Sequence, residues 1–373
     1  PRVRKPAADY PGCARKQIDI MKLNHLLCVL IIGLWPLTAY TAPQVVILQY
    51  HHVDHGTPAS TSITPELFDQ HIEYLKENNY VVWPLDDAVS AIQNNQPLPD
   101  RAVAITIDDA YRSVYEEVYP RLKKLGWSFT VFVNPQAHDK QQGQYISWDQ
   151  MREMKQHGVI FANHSNSHVH LLRQQAGESS EDWLARVRHD IELGQSRLEE
   201  ELGDAPMLFA YPYGEHNPGL RSLISELGYV GFGQQSGPVG PASDFAALPR
   251  FPMAAGFAGM KRFPEKLNTL PFPVKSVVPD NAVLAGDEDM PVLELTLEKG
   301  DYQRNAMACY ISGQGRGQLE WRGDTLLVRP TKALPPGRSR YNCTAPNVKG
   351  PGYYWYSHSW FKKNPDGSWY REY

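Results

Sequence analysis

Two adjacent carboxylates and a spaced pair of imidazoles are the side chains whose types and spacing best fit catalytic chemistry. Asp108 and Asp109 end an apolar, mostly β-branched run that begins at Ala102. His164 and His168 stand four positions apart, so a helical turn would place both imidazoles on one side, where they can share a metal ion. One of the two Asp residues would supply a third ligand, leaving one position for water. The other Asp could then act as a base, since a metal ion lowers the pKa of bound water toward about 7.

Both features also have ordinary explanations. The Asp pair could cap a helix predicted over residues 111–125, and the His pair could be two surface histidines. Three polar stretches, however, directly follow predicted strands: Asp108-Asp109, His164-Ser-Asn-Ser-His168 and Tyr211-Pro-Tyr-Gly214. The C-terminal ends of barrel strands meet on one rim, where active sites form. The presence of all three stretches at predicted strand ends therefore favours an active site over a helix cap and surface histidines.

The elements that would position these side chains alternate between strands and helices. From residue 44 to residue 269, apolar runs typical of buried strands alternate with amphipathic segments. Several of these segments end at glycine, as at Gly126, Gly158 and Gly203, which is a helix C-cap signal. This rhythm predicts a mostly parallel sheet. Roughly seven strands over about 225 residues suit a (β/α) barrel, complete or incomplete.

A different pattern begins after residue 269. Prolines at positions 271, 273 and 279 predict a linker over 270–290. Residues 291–373 carry short strands between Gly- and Pro-rich turns, which predicts a small all-β domain of the sandwich type. Asn364-Pro-Asp-Gly367 predicts a hairpin turn between strands at 353–356 and 368–370. Cys309 and Cys343 would pair as a disulfide, with two buried free thiols as the alternative.

The N-terminal segment predicts export. Residues 21–42 combine a short basic start, an apolar run over 26–37 and a small-residue end, which is the pattern of a secretory signal peptide. We expect Met21 to be the natural start, residues 1–20 to be upstream sequence, and cleavage to fall between Ala39 and Pro43. An uncleaved anchor is the alternative. The mature protein would be periplasmic or secreted, without an integral membrane domain. The net charge of -4 and the absence of a basic block do not favour nucleic acid as a partner.

Three motifs resemble those of the polysaccharide deacetylase family, the NodB-homology or carbohydrate esterase family 4 domain. Thr106-Ile-Asp-Asp-Ala110 is similar to its T-F-D-D-G motif, His164-Ser-Asn-Ser-His168 to its H-[ST]-x-x-H motif, and Ala210-Tyr-Pro-Tyr-Gly214 to its R-x-P-Y-G motif. Leu48-Gln-Tyr-His-His52 resembles the first-strand segment of the subgroup that contains poly-N-acetylglucosamine deacetylases. The resemblance spans about residues 45–263 and says nothing about the C-terminal domain.

The resemblance implies a distorted (β/α)7 barrel that removes N- or O-acetyl groups from an acetylated polysaccharide. It also implies a divalent metal ion, Zn2+ or alternatively Co2+ or Ni2+, because these ions suit the same ligands. By position, Asp108 would be the general base, and the metal ligands would be Asp109, His164 and His168.

The segment after residue 210 carries further implied roles and one departure from the family pattern. Tyr213, through its backbone N–H, would help to stabilise the oxyanion, and Pro212 and Gly214 would shape the loop that faces the substrate. Ala210 stands where much of the family has an Arg that pairs with the base. We predict that Arg250 approaches from another strand and takes that role.

The family's late L-x-H motif, which supplies a general-acid histidine, has no clear counterpart before the barrel ends. His51 and His52 are predicted to line the site, with His51 as the candidate acid, although His51 could equally be a structural hydrogen-bonding residue. His216 is expected to be solvated, and His170 to lie on the rim. Tyr111, near a strand end, could stack on a sugar ring or pack into the core.

The predicted function is that of an exported, metal-dependent deacetylase that hydrolyses N-acetyl groups of a GlcNAc-containing polymer. An O-acetyl esterase of the xylan type on the same fold is one alternative, which the sequence does not separate. A catalytically dead glycan-binding protein is the other, and the intact acid and histidine set argues against it. Exopolysaccharide, peptidoglycan and chitin remain open as substrates.

Overall fold

The computed structural model describes residues 43–371. The predicted upstream segment 1–20 and the predicted signal peptide 21–42 lie outside the described residues. Within 43–371, no helix has both the length and the apolar character needed to cross a membrane.

A parallel sheet with surrounding helices forms the first part of the described chain. Its strands follow the order β10-β1-β5-β6-β7-β8-β9, with β4 beside β5, while β2 and β3 pair with each other. The strands are β1 Val46–Tyr50, β2 His52–Val53, β3 Ser62–Ile63, β4 Val81–Val82, β5 Ala102–Asp108, β6 Thr130–Val133, β7 Ile160–Asn163, β8 Leu208–Ala210, β9 Val230–Phe232 and β10 Phe251–Pro252. The helices are α1 Pro65–Glu77, α2 Leu85–Gln93, α3 Tyr119–Leu125, α4 Pro135–Asp139, α5 Trp148–Lys155, α6 Ser180–Leu202, α7 Pro218–Glu226 and α8 Phe263–Leu267. The predicted barrel of the (β/α)7 type is confirmed.

Strand β5 divides its side chains between two apolar clusters. Val103 and Ile105 pack into the cluster that includes residues of α1 and α3. Ala104 joins a second cluster with residues of the other strands. Because side chains alternate along a strand, Thr106 and Asp108 lie on the same face as Ala104. The strand therefore presents Asp108 on its second face rather than toward α1 and α3.

The segment that follows β5 differs from its prediction. The single helix predicted over 111–125 begins instead as a π-helical turn at Val114–Val118, and α3 follows from Tyr119. Pro120 has no N–H to donate to the carbonyl of Glu116, so a regular α-helix through this point would lose a hydrogen bond. A π-turn absorbs that defect. Gly126 ends α3 with a positive φ of 66°, as its cap signal predicts.

A short segment near residue 250 touches both edges of the parallel sheet. Leu248 forms a bridge to Phe232 of β9, and Phe251 of β10 pairs with Leu48 of β1. Arg250 lies between these two contacts and is completely buried. The segment therefore carries one cationic side chain into the interior of the barrel.

Two further sheets follow the barrel. One runs β11-β20-β19-β15-β16 with β13 beside β20, and the other runs β12-β14-β18-β17. Their buried side chains share one core, so the predicted β-rich C-terminal region is present. The strands are β11 Thr269–Pro271, β12 Val274–Val278, β13 Val283–Leu284, β14 Leu293–Leu297, β15 Ala308–Ile311, β16 Gly315–Arg316, β17 Gln318–Arg322, β18 Thr325–Arg329, β19 Gly337–Pro346 and β20 Tyr353–Lys362.

Two expectations for this region are corrected. The predicted linker 270–290 contributes strands to both sheets. Pro271 itself pairs opposite Trp355 on β11, an edge strand, where proline is tolerated. The turn at Asn364–Gly367 does not join two paired strands, because β20 pairs with β19 and residues 368–370 form no strand. Cys309 and Cys343 face each other on β15 and β19 and are joined by a disulfide. Contacts join the barrel and the C-terminal sheets into one compact unit, and the division into two domains stays a prediction.

Candidate active site

Asp108 is held by a buried network at the end of β5. Arg250 donates from its two terminal nitrogens to the two carboxylate oxygens of Asp108, at 2.7 and 2.8 Å, and neither side chain is exposed. Gln49 on β1 donates to Asp108 Oδ2 at 2.7 Å. Burial raises the pKa of Asp108, but the charge and the hydrogen bonds of Arg250 outweigh it and lower that pKa to about 2. Asp108 is therefore an ionised carboxylate in a fixed orientation.

Arg250 is itself fully engaged. Its Nε donates to the carbonyl of Gly233 at 3.0 Å, and Nη1 also donates to Thr106 Oγ1 at 3.2 Å. The guanidinium lies 5.2 Å from the ring centre of Phe132. Arg250 therefore lies where it can orient Asp108, the role expected of an Arg at position 210, which is Ala in this chain. The part of Arg250 in catalysis stays a prediction.

Asp109, His164 and His168 converge beside Asp108. Asp109 Oδ1 lies 3.3 Å from His164 Nε2 and 3.0 Å from His168 Nε2. The three side chains form the one group in the described part of the chain whose ligand atoms could together hold a metal ion. The His pair is not on a helical turn as expected. A bend with positive φ at Ser165 and His168 brings the imidazoles together, and Ser165 Oγ accepts the backbone N–H of His168.

The donor chemistry of this trio fits a divalent cation. His164 Nδ1 donates to the backbone carbonyl of Ala210 at 2.7 Å, which leaves the lone pair of Nε2 facing Asp109. Asp109 Oδ1 is buried and accepts no hydrogen bond. Burial raises the pKa of Asp109, but the neighbouring His168 and His164 hold it well below its usual value. A carboxylate and two imidazole nitrogens are a set that zinc and similar ions bind.

His51, His52 and Tyr111 lie around this centre. His51 Nε2 is 3.8 Å from Asp108 Oδ2, and burial lowers the pKa of His51 although both neighbouring Asp residues act to raise it. His52 stacks on Tyr111 with ring centres 3.7 Å apart. Tyr111 lines a cleft of about 220 Å3 together with Asp109 and His168. All three residues are thus brought to the site, and their roles stay predictions.

Residues 211–215, which we call the Tyr213 loop, form the opposite side of the site. Pro212–Gly214 is a 3-10 turn in which Tyr213 has a φ of 61°. The Tyr213 ring lies 4.9 Å from the ring of His168 and stacks on His170 at 3.7 Å. The placement of His170 agrees with a rim position. His216 is not solvated as expected: it is partly buried, and packs between Tyr211 and Phe361.

Two polar residues of the site were not predicted from the sequence. Gln49 is 1% exposed in a strand of apolar residues, and a lone amide in such a strand is the signal that could have revealed it. Glu215 is also buried and accepts hydrogen bonds from His170 Nδ1 at 2.9 Å and from Tyr370 at 2.6 Å. Its partner Tyr370 is far away in the sequence, so no local pattern points to it.

Comparisons with known proteins agree with this geometry. Residues 95–232 match the family model described as polysaccharide deacetylase. The chain is 25% identical over 217 residues to YxkH of Bacillus subtilis (strain 168), a protein assigned to the polysaccharide deacetylases, covering 57% of this chain and 72% of YxkH. It is 24% identical over 272 residues to the poly-beta-1,6-N-acetyl-D-glucosamine N-deacetylase of Escherichia coli (strain K12), covering 63% of this chain. The chain spans only 39% of that enzyme's length.

A solved structure shares the fold. The Streptococcus pyogenes deacetylase PplD, determined in complex with acetate, superposes with a TM-score of 0.52 and 25% sequence identity. The match covers 58% of this chain and 95% of PplD.

Proposed function

We propose that this chain, which carries a polysaccharide deacetylase domain, is an exported metal-dependent hydrolase that removes N-acetyl groups from a GlcNAc-containing glycan. One observation carries the proposal: an ionised carboxylate, Asp108, is fixed by Arg250 directly beside a group of residues able to hold a cation. The relatives support the choice of an amide substrate, since the matching Escherichia coli enzyme is named as an N-deacetylase of poly-beta-1,6-N-acetyl-D-glucosamine. Export rests on the signal pattern of residues 21–42.

Different residues of the chain have separate roles in amide hydrolysis. A divalent ion held by Asp109, His164 and His168 would act as a Lewis acid on the acetyl carbonyl and make a water more acidic. Asp108 accepts a proton from the attacking water, and its two bonds to Arg250 keep it oriented for that transfer. The backbone N–H of Tyr213 would donate to the negative charge that develops on the acetyl carbonyl oxygen.

Breaking the amide bond also requires a proton on the leaving nitrogen. His51 is the candidate donor, because its Nε2 lies 3.8 Å from Asp108 Oδ2. Burial lowers the pKa of His51, so a neutral His51 can receive the proton that Asp108 has taken and pass it to the amine. Tyr111 and His52 lie where their stacked rings can face a sugar unit.

Acetate release from a panel of acetylated glycans tests the proposal. We expect release from N-acetylated poly-β-1,6-glucosamine oligomers, loss of release with a chelator and recovery with Zn2+, Co2+ or Ni2+. Asp108→Asn should lower kcat by about 10²–10⁴-fold, while thermal stabilisation by the added ion is retained. Asp109→Ala should abolish that stabilisation, which arises because a ligand that binds only the folded state raises its stability.

Different outcomes separate the alternatives. Release from O-acetylated xylan oligomers, with none from the N-acetylated panel, would make the chain an esterase. Glycan binding without acetate release from any polymer, with the ion bound, would indicate a binding protein and contradict hydrolysis.

A further inference from the structure

We propose that the C-terminal region positions the Tyr213 loop, through Arg338 at the centre of the loop and Tyr370 at its last residue, Glu215. This inference rests on the proposed function, because Tyr213 is the proposed oxyanion donor. It assigns to the C-terminal region a role in the reaction itself.

The Tyr213 loop holds a conformation that its own sequence does not favour. Tyr213 has a φ of 61°, in the left-handed region that non-glycine residues seldom adopt. Such a conformation persists only where surrounding contacts impose it. Inside the loop, Gly214 N–H donates to the carbonyl of Tyr211 at 2.9 Å. The Glu215 N–H bond to the carbonyl of Pro212 is long, at 3.4 Å.

Arg338 supplies a contact from the C-terminal sheets to the centre of the loop. It lies near the start of β19, and its Nη1 donates to the backbone carbonyl of Tyr213 at 2.6 Å. This carbonyl belongs to the peptide that follows Tyr213, so the guanidinium restrains the ψ angle of that residue. A charged donor to a carbonyl is stronger than a neutral one, which suits a restraint on an unfavourable turn.

Tyr370 supplies the second contact, at the end of the loop. Its hydroxyl donates to Glu215 Oε1 at 2.6 Å, and both side chains are buried. His170 and Arg173 also bond to the carboxylate of Glu215, at 2.9 and 3.4 Å. The Arg173 guanidinium lies 4.9 Å from the Tyr370 ring centre. Glu215 therefore ties three segments together: the C-terminal residues, the segment after His168 and the Tyr213 loop.

The two contacts reach the metal-binding side of the site through Tyr213. The Tyr213 ring stacks on His170 at 3.7 Å and lies 4.9 Å from the ring of His168. A shift of the loop would therefore move the proposed oxyanion donor relative to the ligand set. Small displacements of this kind reduce rates strongly, because catalysis depends on the placement of donors around the reacting atoms.

Kinetics of single variants test this role. Arg338→Ala and Tyr370→Phe should each lower kcat about tenfold and leave KM within about twofold, since a positioning residue acts on the transition state. Arg338→Lys, which keeps a charged donor, should recover part of the loss. The matched controls are Arg322→Ala, whose side chain pairs with Glu320, and Tyr302→Phe, whose hydroxyl bonds to the carbonyl of Glu298. Both lie in the C-terminal region and should leave kcat unchanged.

Hydrogen–deuterium exchange of the peptide covering residues 211–217 gives a readout independent of activity. Exchange should become severalfold faster in Arg338→Ala and Tyr370→Phe and stay at the wild-type rate in the two controls. If the wild type released no acetate, the proposed function would fail, and the exchange rates would still decide whether these residues hold the loop. Unchanged exchange in both variants would overturn the inference. A raised KM with an unchanged kcat in Arg338→Ala would do so as well, since Arg338 would then bind the glycan directly.

Discussion

At the scale of single residues, Asp108 is held by a partner that does not come from position 210. Position 210 is Ala and lies completely buried, and its backbone carbonyl orients His164. Arg250 approaches Asp108 from the segment that touches both sheet edges and forms two hydrogen bonds with it. The ion pair is fully buried, so its desolvation is offset only while every polar atom keeps a partner.

We therefore predict that Arg250→Met removes most of the activity and much of the stability. Asp108 would remain as a buried carboxylate without its main counter-charge, which typically costs about 3–5 kcal/mol. Burial would then raise the pKa of Asp108 and leave less of the base ionised. We expect kcat/KM to fall by about 10²-fold or more, measured by acetate release together with chemical unfolding.

A double variant separates the two effects of Arg250. In Asp108→Asn/Arg250→Met the buried charge is gone, so the free energy of unfolding should recover relative to Arg250→Met while activity stays absent. If the single and double variants had the same free energy of unfolding, the side-chain volume of Arg250, and not its charge, would be what stabilises the fold. Unchanged kcat/KM in Arg250→Met would exclude a part for Arg250 in catalysis.

At the scale of elements, the sequence predicts those parts of the fold that are governed by local patterns. The buried run ending at Asp108 forms β5 as expected, and glycine stops such as Gly126 end their helices. Contacts between distant segments were not predictable in the same way. The link from Tyr370 to Glu215 spans 155 positions, and no short-range pattern encodes it.

The prediction errors have the same physical origin. The turn at Asn364–Gly367 has hairpin residues, but β20 already pairs with β19 along its length. The tail that follows packs against Arg173 instead. Gln49 in the site was missed for a related reason, since its partner Asp108 lies on a neighbouring strand. Tertiary pairing decided these positions, and local propensity did not.

Gly214 offers a prediction at the scale of the Tyr213 loop. A Cβ at Gly214 would lie 2.6 Å from Gln234 Cβ and 2.8 Å from the Gln234 backbone nitrogen, at a φ of +68°. Gly214→Ala should therefore displace the loop and lower kcat at least tenfold. Gly158, which precedes β7, has a φ of +82°, and no atom lies within 4 Å of a Cβ added there. A substitution at Gly158 therefore measures the cost of the backbone conformation alone.

Gly158→Ala should cost about 1–2 kcal/mol of stability with activity retained. Acetate release and thermal unfolding of both variants measure the difference. If Gly158→Ala lost as much activity as Gly214→Ala, general destabilisation would explain both, and the geometry of the loop would not be at issue.

At the scale of the whole molecule, the barrel and the C-terminal sheets meet around two histidines. His216 and His358 line a cavity of about 160 Å3 between the two parts, and neither Nε2 atom has a hydrogen-bond partner within the described chain. On the barrel side, Arg221 pairs with Asp244 and with Asp280. Burial lowers the pKa of His216 to about 4 and that of His358 to about 3. The packing of the two parts thus requires both imidazoles to be neutral.

This requirement predicts a loss of stability in mild acid. An unfolded His has a pKa of about 6.5. Below that pH the two histidines are therefore protonated in the unfolded chain, while they stay neutral in the folded chain. The contribution of the two neutral histidines to the free energy of unfolding is fully present above pH 6.5. It falls as the pH decreases toward their folded-state pKa values near 4 and 3, by about 1.4 kcal/mol per His at pH 5.5. Other histidines contribute to the total loss of stability in acid, so the difference between variants is the test.

His216→Gln/His358→Gln should lose less stability between pH 7.5 and 5.5 than the wild type, measured by urea unfolding. His55→Gln, on the exposed surface, should match the wild type. An equal loss in all three proteins would place the acid sensitivity elsewhere in the molecule.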